Sequence, residues 1–184
     1  MKRAAKALIF AGIALITLSL GVLMYMQLAD RQAEKSAEAL LQRLDALLPP
    51  LHPGSQESYR VMTMPALEVD GRDVIAIVEI PAFSLRLPVL SSWEQGRDLP
   101  RRLSGSAYDG TLIIGGSAAQ FACFDRIPNG TEVTVTDMRG AVFTYTVSRI
   151  GRASTADAET LCGSKLTLFA PQTASLEYIL LRCN

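Results

Sequence analysis

The sequence predicts a mainly β fold: a small closed β-barrel with short helices, preceded by an N-terminal transmembrane helix and a helical stalk. Beyond Gly71, short apolar or alternating runs recur at short intervals, with turn residues and little helix between them, which is typical of a small barrel. Before it, residues 7–28 carry no charged side chain. These patterns divide the chain into residues 1–28 (cytoplasmic tip and anchor), 29–72 (stalk and proline-rich linker) and 73–184 (barrel).

The bulk composition excludes one class of partner. The chain has 184 residues, 49% of them hydrophobic, with 18 basic and 18 acidic side chains. That length and hydrophobicity suit one globular domain with an appendage. A net charge of zero gives no electrostatic footprint for nucleic acid, so we expect no DNA or RNA partner.

The N-terminus has the pattern of an uncleaved signal anchor. Lys2, Arg3 and Lys6 precede the uncharged run at residues 7–28, which is long enough to cross a bilayer at about 20 helical residues. It is longer than the core of a signal peptide, and residues 25–30 offer no good small-residue cleavage site. Basic residues before the span keep that end in the cytoplasm. We therefore expect a single-pass protein of the cell membrane with its domain outside the cell.

Residues 29–48 predict a helical stalk with one apolar stripe. The stripe is formed by leucines at helical spacing, namely Leu40, Leu41, Leu44, Leu47 and Leu48. Two interpretations stay open: packing against the chain's own domain or the membrane surface, or a short dimer seam. Pro49 and Pro50 end the helix because proline lacks an amide hydrogen and clashes with the preceding turn. A linker to about Arg72 follows, with an extended piece near residues 59–64.

Seven runs in the barrel segment are predicted strands: Val74–Ile80, Leu85–Leu90, Thr111–Ile114, Thr131–Thr136, Val142–Arg149, Leu166–Phe169 and Tyr178–Arg182. Ser91 to Ser106 is predicted to be a polar connection that includes a short helix. Ala118 to Ile127 is predicted to form a helical turn with Phe121 and Phe124 facing inward. Gly151 to Ser164 is predicted to be a loop.

The cysteines and the histidine do not form a metal-binding pattern. Cys123, Cys162 and Cys183 lack CxxC spacing, and His52 is the one histidine in the sequence and is distant from all three. A structural zinc site usually needs four ligands in short paired spacings, so we expect neither a metal nor a cofactor. An odd number of cysteines leaves at least one thiol without an intrachain disulfide partner, and the oxidation state of the others stays open.

Several segments, in their order along the chain, resemble the sortases, membrane-anchored cysteine transpeptidases of Gram-positive bacteria, in the class B-like, firmicute type. They cover most of the region from Val74 to Cys183: Ile77–Pro81, Leu85–Val89, Arg102–Ser106, Gly110–Gly115, Phe121–Ile127, Gly130–Val135, Val142–Val147, Leu166–Phe169 and Leu181–Cys183. The resemblance implies a sortase-like β-barrel on an N-terminal signal anchor.

Sortase chemistry uses a cysteine nucleophile, a histidine that serves as acid and base, and an arginine that stabilises the oxyanion. The resemblance places the histidine position at Gly116, within one residue, the cysteine position at Pro171 and the arginine position at Tyr178. Glycine cannot transfer a proton, proline has no nucleophile, and a tyrosine hydroxyl is not a fixed cation. His52 lies ahead of the barrel, so no shift of register supplies the base.

Three functions follow from these observations. The resemblance first implies a catalytically inactive pseudoenzyme of the cell surface. Its groove would bind the sorting-signal peptide of a surface protein or pilin, or the domain would assist an active sortase. The groove candidates are Ile114, Ser117, Phe169, Ala170 and Tyr178. The second is a transpeptidase or hydrolase with a displaced nucleophile, Cys123 or Ser117. The third is a degenerate structural domain without a ligand, since fold alone does not fix function.

Overall fold

A computed structural model describes residues 15–21, 24, 35–53, 63–94, 98–172 and 176–184. The contacts divide the chain into two compact units, residues 1–35 and 36–184. In the first unit, residues 15–21 and 24 are helical. No helix within the described ranges is both long and apolar enough to span a membrane. Most of the predicted anchor, and most of the extended piece predicted near residues 59–64, lie outside the described residues.

The described residues of the second unit form ten strands: β1 (His52–Pro53), β2 (Leu67–Val69), β3 (Arg72–Ile80), β4 (Leu85–Leu90), β5 (Arg101–Ser104), β6 (Leu112–Gly115), β7 (Glu132–Asp137), β8 (Ala141–Ala153), β9 (Leu166–Pro171) and β10 (Tyr178–Cys183). Neighbouring strands follow the order β8-β10-β9-β6-β5-β4-β3, and β7 joins β3 to β8. Strands β3 to β10, eight in all, form the closed barrel, and β1 and β2 lie outside this ring. The predicted closed β-barrel is therefore confirmed.

Two short turns show why the sequence folds in this way. Asp70 and Gly71 both have positive φ angles, 54° and 74°, and they join β2 to β3 as the Asp-Gly pair of a tight hairpin. At the β7–β8 turn, Asp137 is fully buried. Its Oδ1 accepts hydrogen bonds from the backbone N–H groups of Arg139 and Ala141 at 2.8 and 2.9 Å, which holds the turn as aspartate commonly does.

Alternate residues of β6 and β9 face opposite sides of the barrel wall. Leu112, Ile114, Leu166, Leu168 and Ala170 lie in the interior cluster. An outer cluster is formed instead by residues at the intervening positions and by their neighbours: Ile113, Phe169, Leu180 and Leu161, with Ala153, Ala156 and Tyr178 packed against them. This is the two-residue period of a strand, and it places a second buried apolar cluster on the outer side of the barrel wall.

A helix, α1 (residues 35–47), packs on the barrel. Its buried residues Ala37, Leu40 and Leu44 follow a helical spacing and contact a cluster that includes Val74 of β3. Arg86 of β4 reinforces this contact with two hydrogen bonds to Asp45, at 2.5 and 2.8 Å, and a further bond to Glu79. Of the two interpretations of the leucine stripe, the structure therefore shows packing against the chain's own domain.

Two local predictions need correction, and a third is confirmed. The connection predicted from Ser91 to Ser106 with a short helix contains strand β5, because pairing with β4 and β6 recruits residues 101–104. The predicted loop from Gly151 to Ser164 contains the end of β8, which pairs with β10, and a four-residue helix, α2 (Ala158–Leu161). The predicted inward-facing Phe121 and Phe124 are indeed buried, beside a short 3-10 helix.

Candidate functional site

The ends of β6, β9 and β10 meet at one place on the barrel. Gly116 follows β6 and its N–H donates to the Phe169 carbonyl of β9 at 3.0 Å. Pro171 and Tyr178 are directly opposite each other in the β9–β10 ladder. The described residues lining a cavity of about 440 Å³ at this place are Trp93, Arg101, Leu103, Gly116, Ser117, Ala156, Phe169, Pro171 and Tyr178. We call it the aromatic cavity, and it contains all three positions where the resemblance places the catalytic residues.

Three aromatic rings form the wall of this cavity. The rings of Trp93 and Phe169 are stacked, with centroids 5.8 Å apart and planes at 16°. The rings of Phe169 and Tyr178 meet edge to face at 6.2 Å. Both are favourable geometries for aromatic pairs. A Cβ at Gly115 would lie 2.5 Å from Phe169 Cζ and 2.6 Å from Trp93 Cζ3, so glycine at this position is what lets the two rings approach the backbone.

Arg101 supplies a cation at the same wall. Its side chain is only 9% exposed. Its Nη1 donates to the Trp93 carbonyl at 2.8 Å, and its Cζ lies 4.2 Å from the centroid of the Trp93 ring. The hydrogen bond and the cation–π contact hold the guanidinium against the rings. Arg101 is the one Lys, Arg, Asp or Glu among the described residues that line the aromatic cavity.

Ser117 lines the cavity, but its hydrogen bonds stabilise the adjacent turn. Its Oγ accepts from the Gln120 N–H at 3.3 Å, and its own N–H donates to Gln120 Oε1 at 2.8 Å. This reciprocal pair matches the Ser-x-x-Gln capping pattern. Gln120 also donates from Nε2 to the Asp98 carbonyl at 2.6 Å. No described histidine, carboxylate or lysine lines the cavity, so none of the described lining residues is a base for the Ser117 hydroxyl.

A second cavity lies on the other side of Pro171, with a volume of about 510 Å³. We call it the polar cavity because its lining includes Asp125, Arg152, Gln172 and Glu177. Arg152 donates to Asp125 at 3.3 Å, and Gln172 Nε2 donates to the same carboxylate at 3.2 Å. Its charges are therefore paired with each other in part. Phe121, Ala170 and Ile179 are among its apolar lining residues.

The structure divides the five predicted groove residues into three places. Ser117, Phe169 and Tyr178 line the aromatic cavity. Ala170 is buried in the barrel and borders the polar cavity instead. Ile114 is fully buried in the interior cluster, so it does not line the groove. The reason is strand alternation: Ile114 and Ala170 occupy inward positions, whereas Phe169 occupies an outward one.

The cysteines do not offer a displaced nucleophile at the aromatic cavity. Cys123 is nearly buried, and desolvation raises the pKa of its thiol. Burial raises the pKa of the Cys183 thiol to about 12. Cys162 is exposed but lines a different cavity, beside Gly163 and Lys165. No disulfide is formed between these three cysteines in the structure. His52 lies in β1, paired with Ala141 of β8.

Four described lining residues were not among the sequence candidates: Trp93, Arg101, Leu103 and Ala156. Trp93 is the one tryptophan of the sequence and lies in a polar connection, and an isolated large aromatic there is a signal for a surface site. Arg101 gives no such signal because it stands in a basic pair with Arg102. Only the pairing of Arg101 with Gly115 across β5 and β6 brings its side chain to the cavity.

The chain thus belongs to the class of closed eight-stranded barrels with a cavity at neighbouring strand ends. Solved structures of sortases are similar to it. Sortase A from Corynebacterium diphtheriae has a TM-score of 0.52 and 18% identity, covering 83% of each chain. A pilus-related sortase C of Group B Streptococcus has a TM-score of 0.52 and 18% identity, covering 84% of this chain and 93% of that one.

A third similar structure is sortase C of Clostridium perfringens with the C-terminal cell wall sorting motif. Its TM-score is 0.51 with 17% identity, and the match covers 60% of this chain and 69% of that one. No protein-family model and no curated protein matches the sequence. The likeness therefore establishes that this chain has the sortase fold.

Proposed function

We propose that this protein is a catalytically inactive, sortase-like domain that binds peptides of the sorting-signal class in the aromatic cavity. One observation carries the proposal. Gly116, Pro171 and Tyr178 line a single cavity, as the catalytic positions of a sortase would, yet none of them is a thiol, an imidazole or a guanidinium. A cavity at these positions that has none of the three reactive groups is suited to binding without bond cleavage.

The lining of the aromatic cavity supports a peptide as ligand. Trp93 and Leu103 are 41% and 39% exposed, so large apolar side chains stand at its rim instead of being buried in the core. Apolar walls with few polar groups are typical of small-ligand and peptide sites. The C. perfringens sortase C was solved with a sorting motif, and the sortase of Group B Streptococcus is pilus-related. We extend these two properties to this chain: the peptide comes from a surface protein or pilin, and the domain assists an active sortase.

The proposal also places the protein at the cell membrane, with its N-terminus in the cytoplasm and the barrel outside. It rests on the uncharged run at residues 7–28 and on Lys2, Arg3 and Lys6 before it, which together follow the positive-inside rule. Fusing alkaline phosphatase after residue 184 tests this topology, since the enzyme is active only when exported. A cytoplasmic, soluble and inactive fusion would contradict it.

Peptide binding is tested with full-length protein in detergent micelles. Trp93 lies in the cavity wall, and the sequence has one tryptophan, so its fluorescence reports on this site alone. We expect a saturable change on titration with sorting-signal peptides, none with scrambled peptides, and at least about tenfold weaker binding by Tyr178→Ala, which removes one aromatic wall. No saturable change with any sorting-signal peptide, repeated by calorimetry, would contradict the proposed function.

Catalysis is tested separately. We expect no transpeptidation or hydrolysis of the same peptides, because no described residue of the aromatic cavity pairs a nucleophile with a base. Turnover that disappears in Ser117→Ala or Cys123→Ala would instead show a displaced nucleophile and overturn the assignment as inactive. Turnover unaffected by either substitution would point to a contaminating enzyme, which repeat purification reveals.

A further inference from the structure

We propose that the aromatic cavity recognises an acidic peptide: a carboxylate side chain of the ligand binds the Arg101 guanidinium, and the apolar side chains beside it pack against Trp93, Phe169 and Tyr178. The inference rests on the proposed function, since it assumes a peptide in this cavity. It goes further by naming the chemical feature that selects the peptide.

The first argument is the position of Arg101 in the sheet. Arg101 of β5 is the ladder partner of Gly115, and Gly115 is the partner of Phe169 in β9. Partners across a ladder have side chains on the same face, so Arg101 and Phe169 share the outer face with only a glycine between them. The space above Gly115 is occupied by the Phe169 and Trp93 rings. The cation and the aromatic wall therefore meet over one backbone position.

The second argument is that the guanidinium is held in place before any ligand arrives. The bond to the Trp93 carbonyl and the stacking on the Trp93 ring, at 4.2 Å from its centroid, fix the orientation of the Arg101 side chain. A fixed group loses little conformational entropy on binding. A guanidinium stays charged at all relevant pH values, and its planar arrangement of N–H donors matches the two oxygens of a carboxylate.

The third argument is charge. Arg101 is more than nine-tenths buried, and its interaction with an anion is stronger there than in bulk water because the local dielectric constant is lower. Among the described lining residues it is the one Lys, Arg, Asp or Glu, so none of the described lining residues repels a ligand carboxylate. The polar cavity that also contains Pro171 has two carboxylates, Asp125 and Glu177, and one cation, Arg152, which already pairs with Asp125, so it is the less favourable place for the same group.

The test compares two peptides on unmodified full-length protein in detergent. The probes are Ala-Leu-Glu-Leu-Ala and Ala-Leu-Gln-Leu-Ala, capped at both ends, which differ in charge and hardly in shape. Affinity is measured by Trp93 fluorescence and independently by calorimetry. We expect the glutamate peptide to bind about tenfold tighter or more, the scale of a charge-assisted hydrogen bond. Equal affinities overturn the carboxylate site and leave the peptide-binding function standing, whereas no binding of either peptide by either method overturns both.

Variants identify the group responsible. Arg101→Gln is expected to abolish the preference for the glutamate peptide, and Arg101→Lys to keep a part of it, since charge remains and the fork is lost. Arg149→Gln removes the same charge from an exposed position of β8 outside the cavity and is expected to keep the full preference. Near-ultraviolet circular dichroism checks that each variant keeps its aromatic packing. A preference that survives Arg101→Gln, or one that Arg149→Gln also abolishes, contradicts the assignment to Arg101.

Discussion

The two cavities on either side of Pro171 are built from different chemistry, although they share that residue. Among the described residues, the aromatic cavity combines stacked rings with one arginine held on a ring. The polar cavity combines the alanine-rich side of the 118–122 turn with Asp125, Arg152, Gln172 and Glu177. In the first, the cation is nearly buried, whereas the Asp125 and Arg152 side chains of the second are 56% and 61% exposed.

This difference indicates which cavity is suited to selecting a ligand. Exposed ion pairs contribute little energy because water and salt screen them, and the carboxylate of Asp125 already accepts bonds from Arg152 and Gln172. A buried arginine on an aromatic ring meets its ligand in a drier environment. The aromatic cavity should therefore dominate both stability and binding in this region, and the following substitutions test that comparison.

The largest expected effect is on the Phe169 ring. Phe169→Ala removes a 3% exposed side chain that contacts both Trp93 and Tyr178, and we expect it to lower the free energy of unfolding by about 3–5 kcal/mol. Urea denaturation measures the loss, and Trp93 emission should shift to the red. Phe121→Leu, at the polar cavity, is the matched control: it should destabilise the protein yet leave Trp93 emission unchanged. A loss below about 1 kcal/mol for Phe169→Ala would show that the wall is not tightly packed.

The next largest effect is expected for two neighbouring glycine substitutions, whose new methyl groups would contact different aromatic rings. In Gly115→Ala the new methyl group meets the Trp93 and Phe169 rings, whereas in Gly116→Ala it lies 2.5 Å from Phe121 Cε2 and 2.8 Å from Gln120 Oε1. Overpacking of this kind costs about 1–3 kcal/mol, so thermal unfolding should shift down in both. Only Gly115→Ala is expected to change Trp93 emission. If Gly116→Ala changed Trp93 emission as much as Gly115→Ala does, the Trp93 ring would also respond to packing around Phe121, and the expected contrast would be wrong.

Thiol reactivity gives a third and smaller contrast. The raised pKa and near burial of Cys123 keep its thiolate form scarce, whereas Cys162 is exposed. At pH 8 we expect Cys162 to react with iodoacetamide at least about tenfold faster than Cys123, because the thiolate is the reactive form. Raising the pH should accelerate Cys123 modification through a higher range than that of an ordinary thiol. Mass spectrometry of the modified peptides gives each rate. If Cys123 were modified faster than Cys162, Cys123 would again be a candidate nucleophile.

The smallest expected effect is at the polar cavity. Asp125→Asn breaks an exposed pair with Arg152, and we expect it to change the free energy of unfolding by less than about 1 kcal/mol. The difference should shrink further in 0.5 M salt, because the Debye length is then only a few ångströms. Urea denaturation at low and high salt measures both quantities. A salt-independent loss of several kcal/mol would show that the polar cavity is an energetic centre comparable to the aromatic one.

The barrel could be predicted because its strands have local signals. The β-branched run of β3 and the alternation in β7 and β8 are visible without any tertiary information. Strand β5 could not be predicted, since Arg101–Ser104 has no apolar alternation and becomes a strand through its partners β4 and β6. Tertiary pairing overrides local propensity at this position.

The candidate site was predictable only in part. The resemblance pointed to Gly116, Pro171 and Tyr178, and these residues do line one cavity. Ile114 was misplaced because a groove residue must face outward, and the direction of each residue in a four-residue buried strand cannot be derived from an unbroken apolar run. Arg101 and Trp93 meet through a loop and a ladder, and such a long-range pairing has no periodic signature in the sequence.

Strand β10 has a consequence for how the chain is made. It lies between β8 and β9 although it follows both of them in the sequence, so a chain that still lacks it has two unpaired strand edges facing each other across an open barrel. Such edges are templates for pairing with other chains. We therefore expect a nascent or truncated chain ending near residue 172 to aggregate or to recruit chaperones. Protection of the barrel's backbone amides from hydrogen exchange should appear abruptly once the β9–β10 hairpin is complete.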